Sequence, residues 1–257
     1  IAVSRRATLE AKAATATLIH GAWQGSWVWA RLLPFLESAG INAIAIDLPG
    51  NGSDETPLHA VSLDLYLAHI ARVAAAISGP LALVGHSGGG LVATAAAEAL
   101  SGKVDRVAYV AGMMLPSGMS FSDLMKAENA SERGLAGIGP HLVWSDDRLS
   151  TTVPPEAAAD IFLGGLPRDE AIAAAARLTP QSQGGRDIAA AWTASGFGKL
   201  PRLYVECLAD RSVSIELQRR MQELVPGAAR ISLDTDHAPQ VSAPEKLAEA
   251  LVPFLKG

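Results

Sequence analysis

Gly85-His86-Ser87-Gly88-Gly89 stands directly after the apolar run Leu81–Val84 and directly before the alanine-rich stretch Leu91–Leu100. A serine with glycine two residues away on either side, set between a strand-like run and a helix-like one, has the form of a nucleophile elbow. The chain must turn sharply at the serine, and residues without a Cβ at 85 and 89 leave room for strand and helix to fold back on each other. The motif commits this part of the chain to strand, turn and helix in that order.

The remaining pattern continues the same rhythm, which predicts an α/β fold: a mostly parallel sheet with helices on both faces. Thr15–His20, Ile41–Asp47, Val104–Ala111, Leu203–Leu208 and Ala229–Leu233 have strand character, while Trp29–Ala39, Leu63–Ile77 and Pro244–Leu255 carry helical spacing. From Met113 to about Ser195 the rhythm stops, and Gly, Pro and Ala surround short helical segments such as Pro155–Phe162 and Arg168–Leu178. The expected organisation is therefore a tail over 1–14, one core over 15–112 and 196–257, and an inserted cap over 113–195 lying on the sheet.

Composition narrows the function classes. Of 257 residues, 49% are hydrophobic and 18% charged, enough apolar side chain for a large core. The net charge of −5 and the lack of any Lys/Arg cluster count against nucleic acid or an anionic membrane as partner. No stretch is long and apolar enough to span a bilayer. The single cysteine, Cys207, falls in a strand-like run and is expected in the core. Ile1 in place of methionine suggests trimming or processing, and Ser4-Arg5-Arg6 is similar to a fragment of a twin-arginine export signal. Compartment stays open between cytoplasmic and exported, and a homodimer is one of the assemblies left open.

A serine needs a base within hydrogen-bond reach and a carboxylate to orient that base. Of the six histidines, His20, His59, His69 and His86 precede or adjoin the serine, and His141 falls in the insertion. His237 follows the last predicted strand, at the carboxyl edge of the sheet, and is the expected base. Asp210, Asp234 and Asp236 are the candidates for the acid. Asp236 adjoins the histidine, and adjacent side chains diverge on an extended or tightly turning segment. Asp210 lies just past the strand Leu203–Leu208, with room for one helix and one strand before His237, and takes the role. For the oxyanion, one backbone N–H is expected from Gly88 and the other from Ala22, after the first strand. His20 and His86 are expected to brace loops.

Four blocks, Leu18-Ile19-His20-Gly21-Ala22-Trp23, Ala45-Ile46-Asp47-Leu48-Pro49-Gly50, Leu83–Gly90 and Val205–Arg211, resemble successive motifs of the α/β-hydrolase superfamily. With Ile215–Met221, they look most like its branch of plant methylesterases, plant S-selective hydroxynitrile lyases and bacterial esterases. The resemblance runs from about residue 15 to the C-terminus and is weakest across the insertion. It implies a triad of Ser87, Asp210 and His237, oxyanion donors Ala22 and Gly88, and neither metal nor organic cofactor. The lyases of that branch carry threonine after the first-motif histidine and lysine after the catalytic one. Here those positions hold Gly21 and Ala238, so the resemblance implies hydrolysis of a small-molecule ester over cyanohydrin cleavage. A hydroxynitrile lyase, a cofactor-free perhydrolase and a hydrolase-fold small-molecule receptor remain the other readings.

The insertion and its surroundings supply candidates for an apolar pocket. Gly21 and Trp23 border the oxyanion loop, and Met113, Leu115, Phe121, Leu124, Met125, Trp144 and Phe162 are apolar residues in or beside the insertion. Together they predict a small to medium hydrophobic ester, aromatic or methyl esters included.

Overall fold

The computed structural model describes residues 15–257; the tail 1–14, with Ser4-Arg5-Arg6, lies outside the described residues. Strands β1 (Thr15–Ile19), β2 (Ala43–Ile46), β3 (Leu81–His86) and β4 (Val104–Val110) alternate with helices α1 (Leu33–Ser38), α2 (Leu63–Ala76) and α3 (Gly89–Ala99). After β4 come α4 (Phe121–Ala127), β5 (Val143–Trp144), β6 (Ser150–Thr152), α5 (Pro155–Phe162), α6 (Arg168–Ala175), β7 (Gln181–Ser182) and α7 (Gln183–Arg186). The regular alternation then resumes with β8 (Arg202–Cys207), α8 (Ile215–Leu224), β9 (Ala229–Leu233), α9 (Pro239–Ser242) and α10 (Pro244–Lys256).

Six strands form one sheet in the order β2-β1-β3-β4-β8-β9, and every neighbouring pair is parallel. Strands covered on both faces are buried along their whole length: β3 is apolar from Leu81 to Val84, and β1 buries Thr15 and Thr17 beside Ala16, Leu18 and Ile19. Successive side chains point to opposite faces. Ala82 and Val84 join a core layer with Leu36 of α1 and Leu247 and Leu251 of α10. Leu81 and Leu83 join the other layer, with Ile70 of α2, α3, and Leu217 and Met221 of α8.

The strand order reverses direction at β1, whose neighbours are β2 on one side and β3 on the other. At such a switch point the loops leaving the carboxyl ends of the two central strands diverge and open a crevice. The loops leaving β1 and β3 are His20-Gly21-Ala22 and the turn at Ser87.

Two local expectations are corrected. The helix predicted over Trp29–Ala39 is a 3-10 turn at Ser26–Trp29 followed by a helix starting only at Leu33. Pro34 in its first turn explains the late start, because proline lacks an N–H and fits where none is needed. The segment between β4 and β8 also contains a small antiparallel sheet, β5-β6-β7, that no hydrophobic alternation announces, since its strands are two or three residues long. Cys207 is buried in β8, and burial pushes its thiol pKa up, away from a reactive thiolate.

Candidate active site

Ser87 sits in the left-handed region at φ 51°, where a non-glycine residue is held only by its surroundings. Its N–H donates to Val110 at 3.2 Å, and its carbonyl accepts from Gly90 at 3.0 Å and Met113 at 2.9 Å. A Cβ on Gly85 would stand 2.6 Å from the Gly89 carbonyl oxygen, and one on Gly89 would stand 2.5 Å from that of His20. Both contacts are with backbone, so neither position admits a side chain without moving the turn. Gly88 differs: its nearest neighbour would be the Ala22 nitrogen at 3.8 Å, an ordinary contact. The Gly88 backbone and the Ala22 nitrogen are thus neighbours. Among the described residues neither the Ala22 nor the Gly88 N–H has a hydrogen-bond partner, and both residues line the cavity that Ser87 faces.

Asp210 and His237 meet across the carboxyl ends of β8 and β9. The Nδ1 of His237 donates to Asp210 Oδ2 at 2.7 Å, with both side chains buried. The other carboxylate oxygen accepts from the Ser212 and Val213 N–H groups at 2.7 and 2.9 Å. Gln218 of α8 donates to Oδ2 at 3.2 Å, while its amide also bonds the Cys207 backbone and the Val213 carbonyl. A buried carboxylate with this many donors is held in one orientation.

Asp236 turns away from His237. Its Oδ2 accepts from the Gly165 N–H at 2.9 Å, and its Oδ1 accepts from the Ala238 N–H at 3.2 Å and the Ser242 hydroxyl at 2.6 Å. Asp234 and His141 are exposed.

The loop of His237 is tied to His86, the residue before Ser87. The His86 Nε2 lies 2.8 Å from the His237 carbonyl oxygen and its Nδ1 lies 2.9 Å from Gln24 Oε1, which also accepts the Gly21 N–H at 3.1 Å. One imidazole thereby joins the loop after β1, the turn after β3 and the loop after β9. Burial, and then the neighbouring His237, hold the His86 pKa well below its ordinary value. His20 braces the next loop: it accepts the Leu48 N–H through Nε2 at 3.0 Å and its Nδ1 bonds the Gly21 carbonyl at 2.8 Å. Burial pulls its pKa down to about 4, against opposing contributions from Gly21 and Asp47. No hydrogen bond joins Ser87 to His237 among the described residues.

The cavity at Ser87 has a volume of about 390 Å³. Gly21, Trp23, Met113, Phe121, Met125 and Trp144 are on its wall. Leu115, Leu124 and Phe162 are not: Leu115 and Leu124 belong to the core layer beneath α3 and α4, and Phe162 stacks on Trp23 and His237 from behind, with centroids 6.1 and 5.4 Å away. Their apolar character serves packing, which sequence alone does not separate from pocket lining. Sequence reasoning missed the polar side chains of the wall, among them Lys126, Gln181, Arg186 and Asp187. It also passed over Gln218, whose only signal was its place in Ile215–Met221. Among the described residues no group of three His, Cys, Asp or Glu could hold a metal ion, and no helix is long and apolar enough to cross a membrane.

The model of the Alpha/beta hydrolase family matches residues 18–250. The chain is 29% identical to a pyrethroid hydrolase of Sphingobium wenxiniae, over 92% of this chain and 86% of that one. It is 25% identical to methylesterase 9 of Arabidopsis thaliana, over 91% and 95%. Among solved structures, a pyrethroid hydrolase from Sphingobium faniae superimposes with a TM-score of 0.80 at 26% identity, covering 95% of this chain and 98% of the other.

Proposed function

Because this chain belongs to the alpha/beta hydrolase family, and its relatives include esterases of both bacterial and plant origin, we propose that it is a serine-dependent carboxylic ester hydrolase working through an acyl-enzyme. The observation that carries this reading is the 2.7 Å Asp210–His237 pair, tied through His86 to the strained Ser87. In the proposed reaction the Ser87 hydroxyl attacks the ester carbonyl while His237 Nε2 takes its proton. Asp210 holds the ring and stabilises the imidazolium. The Ala22 and Gly88 N–H groups receive the charge that develops on the carbonyl oxygen. His237 then gives the proton to the leaving alcohol, and water activated by the same ring releases the acid.

The cavity suits an ester with an apolar body, set between the oxyanion loop and the aromatic and methionine side chains contributed by the 113–195 insertion, which acts as the cap. Relatives named as a pyrethroid hydrolase and a methylesterase accord with this reading. A panel of methyl, aryl and lactone esters assayed with the wild type and Ser87→Ala side by side tests the reading. Hydrolysis confined to the wild type is expected. Equal rates in both proteins would overturn it.

A further inference from the structure

Arg186 lies on the wall of the Ser87 cavity, half-buried, with its guanidinium carbon 5.6 Å from the centre of the Trp23 ring. Among the described residues it forms no ion pair, and its one side-chain hydrogen bond is a long one to Gln183 Oε1, 3.4 Å. Most of its N–H groups therefore have no acceptor among the described residues. A guanidinium taken partly out of water needs a partner, and burial does pull its pKa down, with Asp187 only opposing this.

The wall carries three charged side chains in all. Lys126 of α4, also outside any ion pair among the described residues, and Arg186 of α7 are the cations; Asp187 is the anion, and its Oδ1 accepts the Ser122 hydroxyl at 2.6 Å. The wall is thus net positive by one (two cations, one anion) in a chain of net charge −5. Trp23 fixes the geometry, because its indole N–H donates to Thr151 and its backbone N–H to Gln181. Ala22, Trp23 and Arg186 line the same cavity, and the ring of Trp23, the residue after Ala22, meets the Arg186 guanidinium.

We propose that the site takes esters carrying a carboxylate at the end remote from the scissile carbonyl, with Arg186 as the residue that receives it as a two-pronged donor. This rests on the reading of Ser87 as nucleophile and adds an anionic terminus to the apolar substrate.

The test compares p-nitrophenyl hemiesters of succinate, glutarate, adipate and suberate with neutral p-nitrophenyl esters of equal chain length. At one length the wild type is expected to prefer the hemiester at least ten-fold in kcat/KM, chiefly through KM. Arg186→Met is expected to bring that ratio near one, and Arg186→Lys, which keeps charge without the fork, to leave part of it. Because each protein is its own reference, general damage to the variant cancels. A second arm does not depend on turnover. Calorimetry on Ser87→Ala should give at least ten-fold tighter binding of monomethyl adipate or its longer homologue than of the neutral methyl ester, a gap lost in Ser87→Ala/Arg186→Met. Ratios near one at every length in the wild type, or unchanged ratios in Arg186→Met, overturn the proposal. If no ester were hydrolysed but the binding gap followed Arg186, the carboxylate site would stand and the nucleophile assignment would fall.

Discussion

The two walls of one cavity are built differently. On the sheet side, Ser87 is on the wall, and it and the Asp210–His237 pair, which does not line the cavity, are buried and held by backbone geometry and hydrogen bonds. On the insertion side, Phe121, Met125, Lys126 and Trp144 are half-buried or exposed, on two- to seven-residue elements. Groups that move protons and charge must be positioned to fractions of an ångström, whereas groups that select among substrates tolerate rearrangement. On the reading proposed above, the sheet edge carries the chemistry and the insertion the choice of substrate.

Substitutions on the sheet side should have the larger effects. Asp210→Asn is expected to lower ester kcat by about 10⁴, as removal of the orienting carboxylate does in the serine-protease precedent. Asp236→Asn, one residue from the histidine, should cost less than about 10² in kcat, because its carboxylate holds Gly165, Ala238 and Ser242 instead of the imidazole. Its effect should appear as lost stability, about 1–3 kcal/mol for a buried charged acceptor, measurable by urea titration. A larger kinetic loss in Asp236→Asn than in Asp210→Asn would break the contrast.

Within the turn itself, Gly85→Ala should yield protein that is inactive or unfolded, since its Cβ would meet backbone at 2.6 Å. Gly88→Ala, with open space at 3.8 Å and helical φ of −57°, should fold with a melting temperature close to the wild type. Thermal melts of both variants decide the matter.

A smaller effect comes from His20, neutral and fully buried beneath the oxyanion loop. Its folded pKa of about 4 lies below the ordinary 6.5. As pH falls below 6.5 the unfolded chain takes up a proton that the folded chain refuses until about pH 4, so stability is lost across that window, by up to about 3 kcal/mol. Urea midpoints at pH 7.0 and 4.5, with the His20 ring signals followed by NMR, measure it. Titration of the folded-state ring near 6.5 would contradict it. Smallest should be Trp144→Ala on the insertion wall, with kcat on p-nitrophenyl acetate within about three-fold and the order of preference among bulkier esters altered.

The α/β fold with its mostly parallel sheet was legible because it follows from local rules. Strand-like runs alternating with helical spacing announce a parallel sheet, and glycines at 85 and 89 announce the sharp turn at Ser87. Asp210 and His237 were legible because the loops after β8 and β9 open at one edge. What stayed hidden depends on contacts distant in sequence. The bond from Gln218 to Asp210 and the bridge from His86 to the His237 carbonyl each join elements whose sequences say nothing of the other. The division of apolar residues into wall and core, Met125 against Leu124 on the same helix, is decided by which face of α4 meets the sheet.

Incubation with a fluorophosphonate, followed by intact mass and peptide mapping, bears most directly on the serine at the centre of this chemistry. One adduct per chain on Ser87, absent in Ser87→Ala and at least a thousand-fold slower to form in His237→Ala, is the expected result. Labelling elsewhere, or at the same rate without His237, would contradict it.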